Sequence, residues 1–174
     1  MTVAQAQEFK DNGNILGSHT ITHPYLTKLS EDQIRAELRD SKARLDSTYN
    51  QNTVDFVTPY CDFNPTVTRI ALEYYKYVRN CNAQYNQFST FSSANLNSYP
   101  IYRNTTVQEF RNAVDTSVAN KYWVEFMFHD VSTKTDTDYT IDPAKLDQMF
   151  AYLKEKGIAV VTTSQAFDEV SVQK

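Results

Sequence analysis

No stretch of this sequence is apolar for long enough to cross a bilayer, and no secretory signal opens it. Cysteine is scarce. The two present, Cys61 and Cys81, form no CxxC metal motif; each follows a strand-like segment, so they are expected near each other, as free thiols or one disulfide, with thiols the stronger expectation. A surplus of positive charge is also missing. The formal net charge of −4 argues against nucleic acid or an anionic membrane as a partner. No linker, internal repeat or low-complexity segment interrupts the chain, so residues 1–174 read as one domain with enough length to bury a core. Hydrophobic residues at 41% and charged residues at 22% argue against disorder. Aromatics are plentiful, with twelve Tyr and ten Phe. Tyr-rich surfaces suit flat polar ligands such as sugars, yet strands and interfaces use Tyr as readily.

What is present alternates between helix and strand signals. Thr2 with Gln5 predicts a capped helix ending at Gly13, and residues 15–18 read as a strand. Ser30 with Gln33 boxes a helix carrying Ile34, Leu38 and Leu45 on one face. Residues 54–59 are strand-like, and Asn64-Pro65 opens the next helix with a cap and an N1 proline. A strand is expected at 77–79, followed by an irregular Asn/Gln/Ser stretch over 80–98. Thr106 with Glu109 boxes another helix, and 122–128 is the clearest strand. Asp142-Pro143 opens a helix that stops at Gly157. A final buried strand over 158–162 and a short helix from Ser164 close the chain. Strands separated by helix-length segments imply parallel pairing, as an open sheet or an incomplete (β/α) barrel. In both, chemistry gathers at the C-terminal ends of strands.

Histidine is nearly as scarce as cysteine, and all three residues fall at those ends. His19 and His23 stand in Gly17-Ser18-His19-Thr20-Ile21-Thr22-His23-Pro24, just after the 15–18 strand, and His129 closes the 122–128 strand. Two neutral imidazoles four residues apart can chelate a transition metal. Thr20 stands where a zincin has Glu, and Pro24 disfavours a helix at His23, so the pair is expected on a loop. Ordinary loop polarity is the competing reading.

Three segments together resemble the polysaccharide deacetylases of carbohydrate esterase family 4, the NodB-homology group. Residues 17–24, with Leu26 and Leu29-Ser30, resemble its His-Ser/Thr-x-x-His-Pro motif. Phe56-Val57-Thr58-Pro59-Tyr60-Cys61-Asp62-Phe63-Asn64 resembles the groove-wall motif usually written Arg-Pro-Pro-Tyr-Gly, and Phe126-Met127-Phe128-His129-Asp130 resembles the Leu-x-His motif of a late strand. The order agrees, and the resemblance extends through Gly157-Ile158-Ala159-Val160-Val161-Thr162.

The resemblance implies an α/β fold, an incomplete (β/α) barrel of the NodB type with parallel strands alternating with helices. It implies that His19 and His23 bind a divalent metal, usually zinc. It implies that the Tyr60 N–H stabilises an oxyanion and that His129 acts as general acid. Pro59, Tyr60 and Met127 would contact the substrate, with Met127 lining an acetate pocket.

Departures qualify it. The Thr-Phe-Asp-Asp-Gly motif, source of the general base and the third metal ligand, has no counterpart here and is expected upstream of Met1, along with any export signal. Asp62 and Asp130 could partly compensate, although loop polarity or an outer-shell hydrogen bond is the plainer role for each. Val57 replaces the motif's Arg and Cys61 its Gly.

The expected activity is removal of N-acetyl groups from an N-acetylglucosamine polymer. The alternatives are an acetylxylan esterase, or an inactive chain that binds glycan or a partner. The expected location is extracellular or the cell envelope. Asn104-Thr105-Thr106 is a sequon that matters only in a eukaryotic secretory host. An edge left beside residues 15–18 could recruit a second copy as a homodimer. If the metal reading holds, the His19 and His23 ring nitrogens should lie about 3 Å apart.

Overall fold

Side-chain caps written into the sequence start most helices of the structure, a computed structural model that describes residues 1–90, 92–134 and 137–172. In chain order the first elements are α1 (Val3–Asp11), α2 (Glu31–Tyr49), β1 (Asp55–Val57), α3 (Pro65–Ala71), β2 (Tyr77–Arg79), β3 (Asn86–Gln87) and β4 (Tyr99–Pro100). There follow α4 (Val107–Asn120), β5 (Tyr122–Trp123), β6 (Phe126–Met127), β7 (Asp130–Val131), β8 (Thr140–Ile141), α5 (Pro143–Glu155) and α6 (Thr163–Val172). The boxes Thr2/Gln5, Ser30/Gln33 and Thr106/Glu109 open α1, α2 and α4. Asn64 and Asp142, each followed by a proline, cap α3 and α5. These caps satisfy N–H groups that have no partner inside the helix.

The chain divides into two compact units. The first holds Met1–Asn80, Ser92–Leu96 and the described residues from Thr162 onward; the second holds the described residues that remain between Cys81 and Val161.

The first unit is built on parallel strands. β1 and β2 pair with Phe56 opposite Val78, Ser18 bridges Phe56 on one side, and Leu96 bridges Arg79 on the other. Ser18 donates its N–H to the Asp55 carbonyl at 2.8 Å, and Val57 N–H returns to the Ser18 carbonyl at 2.9 Å. Gly17 lets this approach happen, because a Cβ there would sit 3.3 Å from Asp55 Cβ and 3.4 Å from its carbonyl oxygen. The core comprises Leu26, Ile34 and Leu38 with Phe56, Ile70 and Val78, all at most 2% exposed.

Within that core runs a short polar chain. Tyr75 Oη lies 2.7 Å from the Leu38 carbonyl oxygen and 2.8 Å from Ser18 Oγ, which is 2.8 Å from Ser41 Oγ. A carbonyl only accepts, so the Tyr75 proton goes to Leu38, and the Ser18 and Ser41 hydroxyls can each donate one step along the chain. Burial pushes the Tyr75 hydroxyl above its ordinary pKa, which keeps it protonated and donating.

In the second unit β3 and β5 pair antiparallel, while β4–β6 and β7–β8 pair parallel. α4 and α5 close over a core that includes Ile101, Phe110, Ile141 and Met149, each at most 1% exposed. The expected α/β class with parallel strands is observed, and the described strands form separate pairs with no closed barrel.

Three strand expectations are corrected. Residues 15–18 contribute a single bridge at Ser18. The 122–128 strand divides, because residues 122–123 pair antiparallel with β3 and residues 126–127 pair parallel with β4. Residues 158–162 form no strand, and Val160 is 78% exposed. Strand propensity measures fit against a neighbouring strand, and no described strand pairs with that β-branched run. Both cysteines are disulfide-bonded and neither is a free thiol. Sequence spacing carries no information about Cβ separation, which decides whether a disulfide closes.

Tyr75→Phe should remove the second hydrogen bond of the Leu38 carbonyl and the acceptor of Ser18. The expected loss is about 1–3 kcal/mol, read as a lower denaturant midpoint at unchanged slope. A midpoint equal to wild type would show that the polar chain contributes nothing to stability.

Candidate metal centre

The chain leaves the parallel array at Ser18, and His19 is the first residue beyond it. His19 Nδ1 lies 2.8 Å from the Val57 carbonyl oxygen. Since that oxygen only accepts, Nδ1 carries a proton, which in the neutral ring leaves the lone pair on Nε2, an orientation common in metal-binding histidines. His23 Nε2 lies 3.1 Å from His19 Nε2, with the rings edge-on at 4.7 Å and 69°. Two nitrogens each ~2.1 Å from one tetrahedral ion stand ~3.4 Å apart, so the pair has the separation of a shared ligand set.

The turn between them is not one these residues favour. Thr20 (φ 68°) and His23 (φ 59°) are both left-handed, unusual for any non-glycine and more so for β-branched Thr. Thr20 Oγ1 accepts the His23 N–H at 3.0 Å. From α2, Glu37 reaches across. Its Oε2 accepts the Ile21 and Thr22 N–H groups at 2.9 Å each, and its Oε1 accepts the Thr22 hydroxyl at 2.6 Å. Desolvation pushes the Glu37 carboxyl up, but these three hydrogen bonds together outweigh it and hold the group below its ordinary value.

A second turn faces this loop. Pro59–Cys61 is a short 3-10 turn in which Tyr60 and Cys61 both have φ 55°. Cys61 thus occupies, under left-handed strain, the position where the resembled motif places glycine, the residue that adopts this φ freely. Hydrogen bonds hold the turn in place. Thr58 N–H donates to the Arg79 carbonyl at 3.2 Å, the Thr58 hydroxyl reaches Asn80 Oδ1 at 3.1 Å, and Asn80 Nδ2 reaches Asn95 Oδ1 at 2.7 Å. The Tyr60 ring packs edge-on against His23 at 4.5 Å and stacks on Tyr25 at 4.1 Å and 11°.

The acid that sequence offered as a partial substitute is committed elsewhere. Both Asp62 oxygens accept from Thr27, its N–H and its hydroxyl, at 2.7 Å each. Among the described residues no third His, Cys, Asp or Glu joins the two imidazoles. The residues present therefore fit part of a metal site, two neutral nitrogen ligands of the three or four that zinc takes.

Met127 and His129 belong to the second unit. Met127 sits in β6, partly buried, with its sulfur 3.9 Å from Ser98 Oγ. His129 is exposed in the short break between β6 and β7, its ring 4.8 Å from Tyr139. Asp130 accepts a long hydrogen bond from the Thr140 hydroxyl at 3.4 Å.

The structure thus gathers His19, His23, Pro59 and Tyr60, and adds two residues that sequence reasoning did not single out. Tyr25 directly follows the His-Pro pair and could have been marked by that adjacency. Glu37 lies 15 and 16 residues beyond the backbone it binds, and no local spacing announces it.

The family model described as polysaccharide deacetylase matches residues 2–78. Among solved structures, the chain is similar to the Streptococcus pyogenes deacetylase PplD in complex with acetate, at 30% identity and TM-score 0.59 over 64% of this chain and 50% of that one. It is also similar to the Xyl-CE4 domain of a multidomain xylanase from the hindgut metagenome of Trinervitermes trinervoides, at 21% identity and TM-score 0.62 over 97% and 70%. A third similar structure is BA3943 from Bacillus anthracis, a CE4 family pseudoenzyme, at 17% identity and TM-score 0.56 over 94% and 50%. The chain spans half the length of PplD. No curated protein matches.

The lowered Glu37 pKa has a testable sign. A carboxylate held below its ordinary value stabilises the fold above that value, and the contribution is lost as pH falls through the lowered one. Stability of the wild type should therefore decline as pH falls below the ordinary glutamate value of roughly 4.3, with Glu37→Gln showing a shallower decline. Parallel curves would remove Glu37 from the titrating set.

Proposed function

We propose, for a chain that belongs with the polysaccharide deacetylases in family pattern and in fold, a metal-dependent hydrolase acting on N-acetylated polysaccharide. The substrate class is an N-acetylglucosamine polymer such as peptidoglycan, chitin or poly-N-acetylglucosamine, which would set the protein outside the cell or in its envelope. The observation that carries the reading is the 3.1 Å approach of His19 Nε2 and His23 Nε2, with His19 Nδ1 tied to a carbonyl.

In this reading His19 and His23 hold a divalent ion, taken as zinc, together with a ligand from outside the described residues. Such an ion supplies Lewis acidity toward the acetyl carbonyl and makes water nucleophilic near neutral pH. The Tyr60 N–H, presented by its left-handed turn, donates to the carbonyl oxygen as charge develops on it. Pro59 and the Tyr60 ring would form one wall of the groove, and the motif resemblance alone assigns Met127 to the acetyl pocket. By the same resemblance His129 would deliver a proton to the amine nitrogen as the amide C–N bond breaks, so that water and the acetamide become acetate and a free amine.

Two further readings have support. Similarity to a xylanase-associated CE4 domain spans 97% of the chain, which favours an acetylxylan esterase. The two-imidazole count, with a CE4 family pseudoenzyme similar over 94% of the chain, favours glycan binding without turnover.

Amine release from chito-oligosaccharides and acetate release from acetylxylan, each with a zinc titration, separate the three. The chain alone should bind zinc weakly and release little amine. A form extended by a Thr-Phe-Asp-Asp-Gly strand should gain in both respects, and His129→Ala should then abolish turnover with little loss of zinc. Acetate release from acetylxylan alone would move the assignment to the esterase. Glycan binding with no release from the extended form would move it to a binding role.

A further inference from the structure

We infer that Glu37 is a positioning residue for the His19/His23 pair, holding the turn between them in the left-handed conformation that brings the two imidazoles to one point. The inference rests on the proposed role of those histidines as metal ligands, and goes beyond it to a residue outside the three motifs.

The Glu37 carboxylate is spent on the turn's backbone and hydroxyl donors. Oε2 is occupied by two backbone N–H groups and Oε1 by the Thr22 hydroxyl. All three donors belong to Ile21 and Thr22, which lie between the two imidazoles. Thr20 and His23, on either side, are the residues of this turn with left-handed φ. A peptide span of this kind relaxes toward ordinary backbone unless something outside it fixes its N–H groups, and Glu37 is the side chain that does so across space. Its carboxylate makes these bonds charge-assisted.

The anchoring element is rigid. Glu37 lies between Ile34 and Leu38, which are 2% and 0% exposed. Ser41, one helical turn further along α2, contacts Ser18 Oγ at 2.8 Å. The same face of α2 therefore fixes the chain on both sides of His19, through Ser41 and Ser18 before it and through Glu37 and the Ile21–Thr22 backbone after it. Without Glu37 the convergent arrangement becomes one conformer among several, and apparent metal affinity falls by the fraction lost.

The test is a zinc titration of the full chain at neutral pH and 25 °C, followed by the imidazole resonances of His19 and His23. Glu37→Ala should weaken zinc binding about 10- to 100-fold, the range typical for outer-shell partners of metal ligands, and the apo resonances should show averaged ring environments. Glu37→Gln keeps an amide oxygen for either the N–H pair or the hydroxyl and should lose less. It also carries the test if the alanine variant does not fold. A purely structural role would lower the melting temperature and leave zinc affinity of the folded protein unchanged. Wild-type affinity in Glu37→Gln and Glu37→Ala, with binding lost in His19→Ala, overturns the positioning role and leaves the metal reading standing. Unchanged zinc binding in His19→Ala overturns the metal reading and this inference with it.

Discussion

Much of the first unit depends on how Ser18 is held. Its backbone docks onto β1 through two hydrogen bonds, and its hydroxyl enters the buried chain of Tyr75, Ser41 and the Leu38 carbonyl. One residue later the chain turns out to solvent at His19. A buried, doubly tethered residue immediately before an exposed imidazole fixes where the imidazole starts, and the Val57 carbonyl then fixes its rotation and tautomer. The candidate site is thus an extension of core packing, with the precision of the interior transferred to a loop.

The loop residues themselves are held against their local preferences. Thr20, His23, Tyr60 and Cys61 all sit at positive φ, and none is glycine. Strain of this kind persists only where the surroundings over-determine the conformation. Here the surroundings can be named: a carboxylate on two N–H groups and a hydroxyl, an Asn–Asn–Thr relay, and an aromatic stack of Tyr25 on Tyr60. Such convergence at an exposed loop is what a binding or catalytic site requires and what a simple connection does not.

Helices were legible because their start signals are local. The Ser-x-x-Gln and Thr-x-x-Glu boxes and the Asn-Pro and Asp-Pro starts act within one turn. Strands were less so. The stretch at 158–162 reads as a strand in isolation, but its state depends on a partner that sequence does not reveal, and 122–128 changes partner midway. The His19/His23 pair and the Tyr60 turn were legible from motif resemblance. Glu37 was not, since an acidic residue on a helix flank is ordinarily a solvated charge and its importance lies in contacts made far along the chain. The bonding of Cys61 and Cys81 was likewise invisible to spacing.

The first unit is written in three pieces of chain, and this has a consequence for biogenesis. Leu96, which bridges Arg79, comes from the second piece, and Phe167, whose ring packs 4.7 Å from that of Tyr77, comes from the third. During synthesis the strands and helices of the first 80 residues can assemble early, but the unit is completed only once α6 has left the ribosome. Until then the Tyr77 side of the sheet lacks part of its cover. A nascent chain stalled before α6 would present that uncovered side of the sheet to chaperones and proteases.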